Sequence, residues 1–576
     1  MTEPTGDSTA HVPLFDLTTE PWIGVLKCDG AQEELSLRQV FAQAAEVRRL
    51  AGDLPTQEFA LLRLLLSVAH DALDGPRDVE SWGDLRADPQ CFAPVGAYLE
   101  AHRERFDLLH PAAPFFQTAG LRTAKDEVFS LNRIVADVPN GEPFFTARMP
   151  TVERLTFAEA ARWVVHAHAY DTSGIKSGAV GDDRVKGGKV YPLGTGWDGG
   201  LGGVFAEGDT LRETLLLNLV AADTDALEFT ADDRPAWRRE PCPPGGAERT
   251  PTGLRDLYTW QSRRLRLHYD EDAVTGVVLG YGDPLASRNM HRREPMTAWR
   301  RSLTQEKKLR QSPVYLPREH DPARAAWRGI ASLVADRSDT GTVQGAEAAA
   351  YLRPGILEWI ARLVTEGELP RGFLIRARIV GAKYGTQQSV IDEVVDDQLA
   401  MPVVLLHRQD RTCARQAIGA AEDADLAVRV LGDLATDLAR AAGTESEGAR
   451  SAARELGFTA LENPYRTWIV GLADAGDPFE CRRRWQRDVH GIVSSLGDRL
   501  VAGAGVAAWQ GRTVTDKKGA LWLNAGLADK WFRGRLAKAL GHSSESGERV
   551  DAGTPPAGAP GRHEPDPSAT DPKVPA

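Results

Sequence analysis

At 576 residues the chain is too long for one hydrophobic core, so two or more domains are expected. A formal net charge of -12 argues against a general nucleic-acid binder, so any contact with DNA must run through local basic patches or partners. No stretch approaches about 18 uncharged apolar residues, which argues against a membrane span. Five scattered cysteines, Cys28, Cys91, Cys242, Cys413 and Cys481, form no CxxC pair, which argues against a disulfide framework and a cysteine zinc site. The opening MTEPTGDSTAHVPLF has neither the basic nor the apolar region of a secretory signal, and a cytoplasmic protein is expected.

Residues 1–12 and 542–576 read as disordered tails, the second rich in Pro, Gly, Ser and charge. Between them the expected fold class is α+β: a large mixed N-terminal domain over 13–396, then a C-terminal antiparallel four-helix bundle over 397–541. In chain order, Trp22–Lys27 reads as a strand closed by Asp29-Gly30. Thr56–Leu73 reads as a helix, with Phe59, Leu62, Leu66, Ala69 and Leu73 at 3.6-residue spacing. Phe157–Ala169 and Thr210–Val220 read as helices, and Gly-rich Ser173–Gly208 as a long ordered loop with short strands. Thr275–Tyr281 and Gly372–Ala382 read as strands. From about Asp397 the pattern turns helical: Asp425–Ala442 and Arg482–Ala502 carry apolar stripes, with further helices near 447–457, 465–474 and 528–540.

Several patterns suggest enzymes. Gly194-Thr-Gly196-Trp-Asp-Gly199 matches GxGxxG, but the next helix starts only near Thr210, so a pyrophosphate would face no helix N-terminus. Gly187-Gly188-Lys189-Val190 fails the phosphate-loop spacing, and no cofactor is expected. His70-Asp71 resembles the His-Asp pair of metal-dependent phosphohydrolases, and a metal-dependent nuclease using His70, Asp71, His166 and His168 is the alternative function. Against it, His70 lies off the apolar stripe and reads as a helix-surface residue. His166 and His168, two apart on a helix, point to different faces, so no metal is expected.

Two basic clusters stand out in this acidic chain. One runs from Arg288 through Arg292, Arg293, Arg300 and Arg301 to Arg310, and the other is Arg263, Arg264, Arg266 and His268 beside Trp260 and Tyr269. A charge run is usually a solvated face. Neighbouring clusters with interleaved aromatics also fit a surface that tracks phosphates.

Phe15-Asp-Leu-Thr-Thr-Glu-Pro-Trp22-Ile resembles the opening of the CasA proteins, large subunits of the type I-E CRISPR Cascade. In order follow Ser36-Leu-Arg-Gln-Val-Phe41, the His110-Pro-Ala-Ala-Pro114-Phe-Phe-Gln117 block, Leu211-Arg-Glu-Thr-Leu-Leu-Leu-Asn218 and Arg293-Glu-Pro-Met-Thr-Ala-Trp299, the last similar to the family's actinobacterial branch. The resemblance implies a non-catalytic subunit that reads the protospacer-adjacent motif (PAM) of invading double-stranded DNA. Such a subunit promotes duplex opening and R-loop formation with the CRISPR RNA. Its implied partners are target DNA, the RNA-containing backbone and small subunits, and a CRISPR-associated helicase-nuclease.

Three loops match the family's DNA-contacting parts. Ser173, Gly174, Ile175, Lys176, Ser177 and Gly178 match its glycine loop, with Lys176 expected to touch a phosphate or groove. Gln387, Gln388 and Ser389 match its glutamine wedge, with Gln388 at the tip. Phe144, Phe145 and Thr146 stand where the family contacts DNA and the RNA-bound subunits. The family's minor-groove lysine finger has no counterpart, since the corresponding stretch offers Arg288, Arg292 and Arg293.

Overall fold

A computed structural model describes residues 14–136, 152–224, 227–336, 349–408, 410–474, 476–516 and 519–541. The two expected tails and the loop residues Phe144, Phe145 and Thr146 lie outside the described residues. Mixed helix and sheet make the fold α+β. Near the N-terminus Ile23–Lys27 pairs antiparallel with both Gln32–Leu35 and Val47–Leu50.

Helix Pro55–Leu73 is the spine of the core. Proline at its first position costs no intrahelical hydrogen bond, and Asp74 closes it in the left-handed conformation. Its apolar spacing suggests a single stripe, yet every side chain from Thr56 to Asp71 is buried. Helices Ala93–Ala101, Phe157–Tyr170, Leu211–Asn218 and Leu254–Leu257 and strand Leu374–Tyr384 pack around it, leaving no solvent face. The surface expectation for His70 is therefore corrected: its ring is buried, with Nδ1 3.2 Å from the Gly75 carbonyl.

Burial on all sides also forces polar residues of this helix to find partners inside. Arg63 is fully buried and donates to both oxygens of Glu294, at 3.0 and 2.8 Å, while its Nε lies 3.2 Å from Asp198. Trp197 Nε1 donates to the same Glu294, at 2.8 Å, and Tyr258 lies under the guanidinium. Burial pushes the Asp198 carboxyl up to about 7, although Arg63 opposes the shift.

The longest sheet element is a hairpin. Leu374–Tyr384 runs antiparallel to Ile391–Pro402, registered from Leu374 opposite Pro402 to Tyr384 opposite Ile391, with Gly203–Ala206 on its other edge. A second hairpin, Arg263–Tyr269 with Val274–Tyr281, lies beside the small Lys176–Ser177 and Lys189–Val190 ladder. Glycines 194–200 lead into a short turn at Asp198–Gly200 and then the Gly203–Ala206 strand, while the helix begins at Leu211.

The boundary expected at Asp397 falls inside the Ile391–Pro402 strand, and continuous helix starts at Thr412. Long helices Thr412–Ala442, Glu447–Gly471, Pro478–Ala502 and Ala525–Ala539 follow, the first packed against the other three. The helices expected near 447–457 and 465–474 are one, running through Pro464 to Gly471. An unforeseen hairpin, Arg512–Asp516 with Gly519–Leu523, precedes the last helix. Trp327, from the mixed region, stacks on Tyr465 at 4.6 Å, and Arg466 pairs with Asp397 at 2.8 Å, fastening the helices to the long hairpin. Among the described residues no helix is long and apolar enough to cross a membrane.

Candidate nucleic-acid interface

The tip of the long hairpin carries the glutamines. Gly385 N donates to Val390 O at 3.1 Å and Gln388 N to Gly385 O at 2.9 Å, so the chain reverses within Thr386–Ser389, all four exposed. Gln387 and Gln388 both hold left-handed backbone, at φ 57° and 56°. That conformation costs a non-glycine residue about 1–2 kcal/mol. Two such residues side by side make a strained, rigid tip, and strain of this kind concentrates at functional sites. The tip is footed on the core by Tyr384, whose hydroxyl donates to Tyr170 O at 2.7 Å. Gly199 must be glycine here, because a Cβ would stand 2.1 Å from that hydroxyl.

The glycine loop reaches the same place from 215 positions earlier in the chain (Gln388 against Ser173). Ser173 N donates to Gln388 O at 2.8 Å, joining loop and tip. The Tyr281 hydroxyl accepts from Gly174 N at 3.0 Å and donates to Gly174 O at 2.7 Å. Nothing stands within 4 Å of where a Gly174 Cβ would lie, so that face of the backbone is open to an approaching groove. Ile175 is 58% exposed beside it. Ser177 pairs with Lys189 in the small ladder, and a Cβ on Gly178 would meet Val185 at 2.5 Å, so Gly178 is held by packing.

Lys176 departs from expectation. Its side chain is buried, with Nζ 2.6 Å from Asp171 and 5.3 Å from the centre of the Tyr281 ring. The ammonium is not free for a phosphate, and the direct-contact role is corrected. Asp171 also takes Arg263, and burial of the carboxyl is outweighed by these two cations, which hold it below its ordinary value. The sequence flags Lys176 as a charge among glycines but cannot show that Asp171, five residues earlier, folds back onto it.

The two basic clusters divide. Arg263 and Arg264 are buried and paired with Asp171 and Asp283, so a phosphate-tracking surface there is corrected. Trp260 is buried too, donating to Asp283 O at 3.0 Å. In the other cluster Arg292 and Arg293 pair with Glu228, at 2.9 and 3.2 Å, and Arg301 pairs with Glu306 at 2.7 Å. Arg288 and Arg300 are exposed and in no ion pair among the described residues. Both line a cleft of about 460 Å³ that opens beside Gln388, with Trp197, Trp260 and the Gly194–Leu201 stretch on its other walls. Arg288, Arg300 and the glutamine tip thus line one concavity, together with Glu319 and the Arg264-paired Asp283.

The residues proposed for the nuclease alternative do not converge on an open site. Asp71 is buried between Arg238 and Arg255, at 2.9 and 3.0 Å. His166 Nε2 lies 3.0 Å from Thr56 Oγ1, whereas His168 Nε2 lies 2.8 Å from Phe116 O and its Nδ1 accepts from Arg263 N. Among the described residues no group of three or more His, Cys, Asp and Glu is arranged to hold a metal.

These histidines predict an acid response. Burial lowers His70 and His166 to about 3, and His168 and His320 to about 4, all beneath the unfolded value of 6.5. Stability from each is complete above pH 6.5 and is lost as pH falls toward 4, by up to about 1.4 kcal/mol per pH unit per group. Asp198, raised to about 7, acts oppositely, as do Glu58 and Asp233, which burial also raises, while the lowered Asp16 and Asp171 act with the four histidines. Denaturant midpoints should therefore rise steeply between pH 4.5 and 6.5. A flat profile would mean that the rings are solvated.

The comparisons with known proteins place the chain in a family and give its fold. The family model for CRISPR-associated protein Cse1 matches residues 16–496. The crystal structure of Thermobifida fusca Cse1 is 58% identical, covers 92% of this chain and 99% of that one, and superposes with a TM-score of 0.85. CRISPR-associated protein CasA/Cse1 of Thermus thermophilus is 31% identical over 351 residues, spanning 57% of this chain and 65% of that relative, just under two thirds of its length. A chain of a CRISPR RNA-guided surveillance complex, 20% identical with a TM-score of 0.61 over 84% of this chain and 98% of that one, shares the fold. By the extent of the family match, this chain belongs to the Cse1 (CasA) family of CRISPR-associated proteins.

Proposed function

We propose that the chain is the large subunit of a cytoplasmic type I-E CRISPR Cascade surveillance complex, with no catalysis of its own. It reads the PAM on double-stranded DNA, and its glutamine tip starts the opening that lets CRISPR RNA pair with the target strand. This division of labour suits its chemistry: base pairing reads the long sequence, and protein reads only a short duplex tag. The observation that carries the reading is the hydrogen bond from Ser173 N to Gln388 O. It places a loop with an open backbone face, suited to a groove, against a rigid tip suited to parting base steps. The four long helices after Thr412 serve as the bundle that docks onto the RNA-bound backbone and small subunits. The assembled face then helps recruit the helicase-nuclease.

Charge supports the same face. In an acidic chain, Arg288 and Arg300 are exposed beside the tip and in no ion pair among the described residues, although Glu319 lines the same cleft. Replacing both with alanine in the reconstituted complex should weaken duplex binding severalfold. The slope of log affinity against log salt should fall by about 0.9 for each phosphate that is no longer neutralised. An unchanged slope would place the DNA elsewhere.

A further inference from the structure

The buried ions behind the glycine loop tie the 171–176 segment, the Gly194–Gly196 stretch and the first strand of the second hairpin to one another. Asp171 accepts from Lys176 at 2.6 Å and from Arg263. Arg263 also donates to the backbone oxygens of Asp171, Thr172 and Gly194, at 2.9, 3.3 and 3.0 Å. Gly196 N donates to Asp171 O at 2.8 Å, so the cleft wall hangs from the same residue. Both cations face the Tyr281 ring, Lys176 at 5.3 Å and Arg263 at 4.9 Å, and the hydroxyl of that ring clamps Gly174 from both sides. Ser173, between the clamped glycine and the Arg263-bound Thr172, is the residue bonded to Gln388.

We infer that Asp171, Lys176, Arg263 and Tyr281 form a lock that sets the glycine loop in register with the glutamine tip, and that Lys176 and Tyr281 are positioning residues rather than DNA contacts. Removing Lys176 leaves Asp171 neutralised by Arg263, so the fold survives while the loop loses its inner tether. Tyr281→Phe cuts the other tether and keeps the ring under both cations. The inference rests on the DNA-reading role proposed above.

The test uses the reconstituted complex with the parent chain, Lys176→Met, Tyr281→Phe, the double variant and Gln388→Ala, on PAM-bearing duplex across a salt series. Each single lock variant should lose roughly tenfold in duplex affinity, the scale of the charge-assisted bond lost with Lys176 or of the two neutral bonds lost with the Tyr281 hydroxyl. The double variant should lose little more than either alone, because both act through one loop seat. The salt slope should stay at the parent value, whereas removal of a phosphate-binding cation would lower it by about 0.9. A lowered slope for Lys176→Met, or losses that add fully in the double variant, would overturn the lock. Parent-like binding by both single variants would overturn it too, provided Gln388→Ala slows R-loop formation on the same duplex. If Gln388→Ala also opens that duplex at the parent rate, the failure lies in the DNA-reading role, and the lock falls with it. Thermal melts of the free chains separate a lost register from a lost fold, and Tyr281→Phe, which leaves no buried charge unpaired, stands in if Lys176→Met melts early.

Discussion

Gln388→Ala should leave binding to a pre-opened target intact while slowing opening of an intact duplex severalfold or more. The substitution changes no backbone requirement, since alanine at φ 56° meets the same left-handed cost as glutamine. What it removes is the side chain that would stand between parted bases. Exchange of a DNA duplex for an RNA–DNA duplex is nearly balanced, with a stacking step worth about 1.4 kcal/mol. Losing about 1–2 kcal/mol at the first step therefore lowers the nucleation rate by roughly 5- to 30-fold. The comparison is intact duplex against a duplex with a melted bubble beside the PAM, with R-loop formation followed in time. If the bubble fails to restore the variant, the wedge assignment is wrong.

The second large effect is expected in the core. Arg63→Met should destabilise the chain by about 3–5 kcal/mol, because it strands Glu294 and Asp198 without their cation in a water-free site. Methionine fills much of the same space, so a cavity contributes little to the loss. Adding Glu294→Gln should recover part of it, since Asp198, already raised to about 7, takes up a proton once Arg63 is gone. Urea unfolding of the three chains side by side checks this. A midpoint for Arg63→Met within error of the parent would show that water reaches the site.

How far the sequence could be read depended on what each pattern measures. Apolar spacing located helix Pro55–Leu73 to within a residue, yet it misplaced His70, because a stripe assumes one buried face and this helix has none exposed. The strand expected at 372–382 and the Gln387–Gln388 motif were legible one by one. Their meeting with Ser173 was not, since no local pattern encodes a contact across 215 positions. Lys176 and Arg263 read as available charge only because Asp171 and the surrounding burial are tertiary facts. The helices expected near 447–457 and 465–474 are one because a missing N–H and a locked φ at Pro464 can be absorbed within a helix packed on its neighbours. The change of texture placed near Asp397 came early because the Ile391–Pro402 strand is largely solvent-facing and polar, unlike the buried strand it pairs with.

Reading of the short duplex tag by this chain is most directly measured as duplex binding by the otherwise complete complex, with and without the chain. The DNA is a library in which the positions flanking one matched target are randomised. With the chain present, bound DNA should be enriched in a narrow set of flanking sequences, and without it that enrichment should vanish while pre-opened targets still bind. The same enriched set recovered without the chain would mean that another subunit reads the tag.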